Sequence, residues 1–573
     1  MRKIPFLLLI LVLVSCKKEI TNPADSIYFG GDILTMEGDK PNYAEAVAVK
    51  DGKILFVGTK AEAEKFHGDK TLMNNLQGKI ILPGFIDAHG HVWNAGFQAV
   101  SANLLPAPDG TGNDISTIIS LLNEWKSKNS KAVGKYGWIV GFGYDDAQLK
   151  EKLPPTADDL DKVSTTVPVL IIHQSGHLAV MNHKALELAG YTAATKDPAG
   201  GFIRRKEGSQ EPNGVLEEMA MFIPLFKIMG TLDTVANVKI AEAGIAAYTK
   251  FGFTTAQEGR ASSDACNTWK KLANEGKLSI DVAAYPDIQT QMEYMKANGV
   301  QKNYTNHFRI AGVKLSLDGS PQGKTAWLTK PYKIPPPGKP TTYSGYPAFP
   351  KEEDAISLVD SAYANNWQIL AHCNGDAAID EYIKAIRNAT DLYGGKDRRS
   401  VAIHAQTVRF DQLDSMKVLK IIPSFFGMHT YYWGDWHRDE TLGKERAYRI
   451  SPAATALKKG MKFTEHHDAP VALPNSIMIL YSVVNRISRS GDVIGHKERI
   501  SPYNALQSLT SWAAYQYFEE NTKGSIKKGK LADFVILDKN PLKIDPKKII
   551  DIQVLETIKE GKTIFKLDNL PIR

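Results

Sequence analysis

The sequence predicts an α/β protein. Its centre is a (β/α)8 TIM barrel, joined by a small β-sandwich built from both chain ends and a long insertion after the first barrel strand. Three observations lead there. The middle of the chain alternates eight short apolar runs with helical stretches. Most of those runs end in His, Lys, Asp or Glu, as expected where barrel chemistry sits at the C-terminal strand ends. Both chain ends show a different texture, short alternating strands broken by glycine turns.

The chain starts with "MRKIPFLLLILVLVSC", a basic start, an apolar run and Leu-Val-Ser-Cys, which reads as a secretory signal too short for a membrane span. Residues 1–15 are expected to be a lipoprotein signal peptide, with Cys16 as the lipid-bearing first residue and 16–25 as a tether. The protein is thus expected outside the cytoplasm, touching a membrane through its lipid anchor only. "SIYFGGDILTM" and "EAVAVKDGKILFVG" follow, the second with an Asp51-Gly52 hairpin turn. With "GSIKKGKLADFVILDKNP" and "VLETIKEGKTIFKL" they form the composite β-sandwich, 26–79 and 524–567. The barrel occupies 80–523, with the insertion at about 94–232.

The eight expected strands lie in "KIILPGFIDAHGHV", "GFTTAQEG", "LSIDVAAYP", "IAGVKLSLDGS", "WQILAHCNGD", "SVAIHAQT", "LKIIPSFF" and "MKFTEHHDAP". A last barrel helix follows in "SPYNALQSLTSWAAYQYFEE", capped by Ser501 with Pro502 in its first turn.

The 573 residues, 43% hydrophobic and 23% charged, suit a large globular chain. The net charge of +7 drops to +5 once Arg2 and Lys3 leave with the signal, and the basic residues are scattered. No nucleic-acid partner is implied. Cys266 and Cys373 are too few for a disulfide framework and read as buried thiols. Oligomeric state is open.

His89 and His91 are one residue apart, so on a strand both would face one space. A lone pair of this kind is weak evidence. It gains weight because His372, His404 and Asp468 also end proposed strands, which completes a nitrogen and oxygen set suited to zinc and similar divalent ions.

This constellation resembles the amidohydrolase superfamily. The wording "LPGFIDAHGH", "GVKLSLDGS", "AHCNGDAAID", "IHAQ", "DAP" and "GKLADFVILD" is similar to its YtcJ-like branch, which includes N-substituted formamide deformylase relatives. The resemblance runs from about Ser26 to Lys566. It implies two divalent ions, expected to be zinc: His89, His91 and Asp468 on one, His372 and His404 on the other, bridged by a carbamylated Lys314. It also implies hydrolysis of a carbon–nitrogen bond in a small non-peptide amide or formamide, with Asp468 carrying the proton. A mononuclear deaminase on the same barrel and a non-catalytic metal- or solute-binding lipoprotein are the rival readings. His177, His429 and His466 are candidate substrate contacts, and Asp318 is a candidate support behind the ligands.

Overall fold

The computed structural model describes residues 22–567 apart from 199 and 337. The expected signal peptide and Cys16 lie outside the described residues.

The two chain ends pair into one eight-stranded sheet. Its amino-terminal strands are Ser26–Leu34, Tyr43–Lys50, Lys53–Gly58, Leu72–Asn75 and Ile80–Pro83, and its carboxy-terminal strands are Phe534–Leu537, Val554–Lys559 and Lys562–Lys566. Two separate stacked sheets do not form. The ladder is continuous and curls round until Lys53–Gly58 meets the chain before Phe534, where the Ile54 N–H donates to the Lys530 carbonyl at 2.8 Å. A register shift between Phe29 and Ile33 supplies part of the bend. Val47, Val49, Ile54, Phe534, Ile536 and Ile558 share the enclosed core.

The run from Ile80 to Ile86 is not one barrel strand. Ile80–Pro83 pairs antiparallel with Phe534–Leu537, whereas Phe85 and Ile86 pair parallel with Phe253 and Thr255. The chain changes sheets at Gly84, where a Cβ would lie 2.4 Å from the Thr254 side chain.

The central strands are all parallel and neighbours in chain order. Phe85–Ile86, Phe253–Ala261, Asp281–Pro286 and Phe308–Ile310 form one sheet. Val313–Ser316, Ile369–Cys373, Val401–His404, Ile422–Phe425 and Thr464–Glu465 form the next. The stretch 308–316 belongs to both, pairing first with the third strand and then with the fifth. Beyond the last and first strands, the Asp468 N–H reaches the His89 carbonyl at 3.2 Å and the His91 N–H reaches the Ala469 carbonyl at 2.9 Å. Ile86, Ala283, Tyr285, Leu370, Val401, Ile403 and Ile422 pack into a common core with Ala513, Ala514 and Tyr517. The expected last helix is two, Pro502–Leu509 and Ser511–Gln516, broken at Thr510.

Residues after the first strand form helix Val92–Val100 and then a six-stranded sheet running from Ala102–Asn103 to Pro212–Glu218. The helix lies against Thr234–Thr249 at glycine-limited distance: a Cβ at Gly96 would come 1.8 Å from the Ile240 carbonyl. The insertion is held to the strand-end side of the molecule. The Gln174 amide donates to the Val471 carbonyl at 3.2 Å, and the Trp433 indole N–H donates to Asp145 at 3.2 Å. Among the described residues no single helix is long and apolar enough to cross a membrane.

Candidate metal centre

Both members of the His89–His91 pair lie past the end of their strand, so alternation along a strand is not what brings them together. The buried Asp87 carboxylate folds the chain back, accepting the N–H groups of His89 and Gln257 at 3.0 Å each. His91 then bridges to Glu258 on the second strand and stands at the start of helix Val92–Val100. The two rings end 5.1 Å apart and face one carboxylate. Asp468 Oδ1 is 3.3 Å from His89 Nε2 and 3.4 Å from His91 Nε2.

Hydrogen bonds on the far side of each ring decide which nitrogen keeps a lone pair. Gln257 spends its amide N–H groups on the Ala88 carbonyl and the Tyr517 hydroxyl, so its Oε1 accepts from His89 Nδ1 at 2.6 Å. The Gly259 carbonyl takes the Nδ1 proton of His91 at 2.6 Å. Both Nε2 atoms are thereby left with bare lone pairs on the side of Asp468. His372 is the mirror case, its Nε2 donating to the Gly319 carbonyl at 3.1 Å and its Nδ1 turned inward.

His404 completes the set. Its Nε2 faces His372 Nδ1 at 3.0 Å, and its Nδ1 faces His466 Nε2 at 3.0 Å. A proton on His404 Nδ1 is donated to His466, whose own Nδ1 proton then goes to Ser424 Oγ at 3.0 Å. His404 Nε2 keeps its lone pair. Two ring nitrogens with facing lone pairs repel until a cation or a proton lies between them. Burial works against the proton, pushing His372 down to about 3 and His404 well below the usual histidine range.

Lys314, on the fourth strand, enters the same space, its Nζ 3.1 Å from His89 Nε2. Burial is the main force lowering its amine to about 7, so it is readily neutral. Burial raises Asp468, and charge or protons on the surrounding histidines, His404 first among them, would pull it well below the usual carboxylate range. His404 and Asp468 both have positive φ, +67° and +52°, a conformation that side chains other than glycine adopt at a cost.

The remaining candidates are placed differently. His466 is fully buried behind His404, in contact with it and Ser424 rather than facing open space. His429 is also buried, hydrogen-bonded to Gln406 at 2.8 Å and stacked on His437. Among the described residues no hydrogen bond joins it to the ligand cluster. His177 reaches the site from the insertion, a quarter exposed, with Nδ1 3.0 Å from Glu218. Burial would lower its ring, but Glu218 outweighs that and raises it. Asp318 accepts backbone N–H groups from Trp327, Asn374 and Gly375 and lies 3.5 Å from His372. It ties two loops together behind that ring. Gln257, Ser424, Asp87 and Glu218 act here although sequence reasoning singled out none of them. Gln257 alone had a signal, its place at the end of an expected strand.

The chain resembles known proteins in sequence and in fold. Residues 73–565 match the profile described as the amidohydrolase family. The chain is 26% identical to the putative amidohydrolase YtcJ of Bacillus subtilis, over 94% of this chain and 99% of that one. It is 22% identical to the N-substituted formamide deformylase of Arthrobacter pascens, over 95% and 98% respectively. The solved structure of an uncharacterized metal-dependent hydrolase from Pyrococcus horikoshii superposes with a TM-score of 0.72 at 24% identity, covering 91% of this chain and 99% of that one.

Proposed function

The chain belongs to the amidohydrolase family, and from that premise we propose that it hydrolyses a carbon–nitrogen bond in a non-peptide amide or formamide. The convergence of four lone-pair ring nitrogens, one carboxylate and one buried amine carries this reading. In it, the eight central strands close into a (β/α)8 barrel. His89, His91 and Asp468 would hold one divalent ion and His372 and His404 a second, and zinc would suit the nitrogen-rich set. Lys314 would join this ligand set once its neutral amine had added carbon dioxide, forming an N–C bond and losing a proton, which gives a carboxylate-like donor where an ammonium would be costly to bury.

Such ions supply acidified water near neutral pH and polarise a carbonyl. The chain does the rest. The Asp468 carboxylate, between His89 and His91, takes the proton of the attacking water and delivers it to the leaving nitrogen as the C–N bond breaks. His177, oriented by Glu218, presents Nε2 to the carbonyl end of the substrate. The insertion covers the strand ends and limits water entry. The lipoprotein reading stands beside this as a proposal: export and lipid attachment at Cys16, checked by the mature mass of protein from the membrane fraction.

Elemental analysis of protein purified without chelator should find close to two ions per chain. A hydrolysis screen with N-formyl compounds, N-acyl compounds and cyclic amides should find turnover. A firm count of one, unmoved by added metal and bicarbonate, would favour the one-metal deaminase. Full metal with no turnover anywhere in the screen would favour a binding protein.

A further inference from the structure

Immediately after the second central strand's contact with the ligands stands Arg260. Gly259, before it, takes the His91 ring proton on its carbonyl, and a Cβ at Gly259 would lie 2.8 Å from the His89 ring. Arg260 has a φ of +55° and projects from the rim, its side chain 52% exposed. One contact fixes it: Nε donates to Asp287 Oδ2 at 2.9 Å. Asp287 is itself held, accepting the N–H groups of Gln289 and Thr290 on its other oxygen, and it pairs across the strands with Lys314. The guanidinium is thus held by one carboxylate, Asp287, whose backbone bridges to Lys314, and Arg260 follows in the chain directly on Gly259, whose carbonyl holds the His91 ring.

The mode of anchoring matters. An arginine used only as a structural tie tends to engage a carboxylate with two parallel N–H groups. Arg260 spends Nε alone, and among the described residues Nη1 and Nη2 have no protein hydrogen-bond partner. The free Nη1–Nη2 edge is the planar, two-donor fork that matches a carboxylate. Its charge is felt at the site, adding to the burial that lowers the Lys314 amine and opposing in small part the Glu218 carboxylate that raises the His177 ring. A backbone strained at a rim position, with a fixed side chain and an unused fork, is what a specificity element looks like.

We propose that Arg260 binds a carboxylate of the substrate, so that the substrates are N-acyl or N-formyl compounds that also carry a carboxylate. This rests on the hydrolase reading above. The amide lies over the ligand cluster while the carboxylate takes the free edge of Arg260. The contact of Nε with Asp287 leaves that edge unengaged.

The test uses N-formyl and N-acetyl amino acids of varied side chain, each paired with its own carboxamide. Zinc-loaded wild-type protein and Arg260→Gln are compared by turnover and by titration calorimetry. Wild type should favour the carboxylate of the best pair by at least about tenfold, and in Arg260→Gln that ratio should fall toward one, mostly through KM. Arg260→Lys should keep part of the preference, as a point charge without the fork. Equal handling of carboxylate and carboxamide by wild type overturns the proposal, as does an unchanged ratio in Arg260→Gln. Carboxylate-selective binding that Arg260→Gln abolishes, without turnover of any pair, would keep the anchor and discard the hydrolase reading. Absence of both binding and turnover would overturn both.

Discussion

Among the described residues three clusters bring histidine and carboxylate atoms within 4.8 Å of one another, and two of them are built round a buried histidine: His89, with His91 and Asp468, at the strand ends, and His173, with Asp145 and Asp146, in the insertion. By composition they are near equals. They differ in what stands behind the ring. At the strand ends an amide oxygen and a backbone carbonyl take the outer proton, and the inner nitrogens are bare. In the insertion the inward nitrogen, Nε2, faces Asp146 at 3.1 Å and Asp145 at 3.5 Å, while Nδ1 meets Ser175. Burial lowers the His173 ring, but the two aspartates outweigh it and raise it to about 9. The first arrangement prepares ligands, whereas the second makes a cation held between carboxylates. The acceptor behind the ring, more than the residue types, separates a metal centre from an ion pair.

The largest expected effect tests the first cluster. Asp468→Asn keeps an oxygen for a metal but cannot take a proton at neutral pH. Turnover of the best substrate should fall by about 10²–10⁴-fold with most of the metal retained. Near-normal turnover with metal intact would remove Asp468 from the proton-transfer role.

A middle-sized effect tests the acceptor rule itself. His466→Phe removes the group that takes the His404 Nδ1 proton, so the bare nitrogen of His404 is no longer enforced. Metal affinity should fall about 10–100-fold, the range for lost support behind a ligand, with turnover largely recovered at high metal. His466→Gln, whose Oε1 can accept the same proton, should restore much of the affinity. Equal losses in both variants would mean that His466 only fills space.

The candidate ligand residues were legible because their types are chemically distinctive and they recur at the ends of apolar runs. Their supports were not. The Gly259 and Gly319 carbonyls have no side-chain signature, and Gln257 stands 168 residues from the ring it orients. His466 was visible beside Asp468, but alternation on a strand suggested a shared open face. The strand ends at Glu465, and the chain beyond it turns His466 inward onto His404. The same local turning explains the His89–His91 pair, which converges through Asp87 and not through a pleat. The sheet at the chain ends follows a similar pattern. Hairpin signals such as Asp51-Gly52 were readable, since both residues take positive φ. The curl that makes one sheet enclose its own core depends on pairings more than 400 residues apart, such as Ile54 with Lys530.

The smallest effect separates the second cluster from the first. His173→Gln should leave metal content unchanged, because a ring that carries its proton toward two carboxylates is no ligand. Its consequence is stability. The folded ring titrates near 9, above an unfolded value near 6.5. Its contribution is therefore present in full below about 6.5 and is lost as pH rises through 9. Asp146 is one-third exposed, so solvent screens part of the pair and the contribution near pH 7 is on the order of 1–2 kcal/mol. The thermal midpoint of His173→Gln should lie below wild type at pH 6 to 7, and the two curves should converge by about pH 10. A gap that persists at high pH would assign His173 to packing instead, and a loss of metal in the variant would mean that the two clusters do not differ in kind.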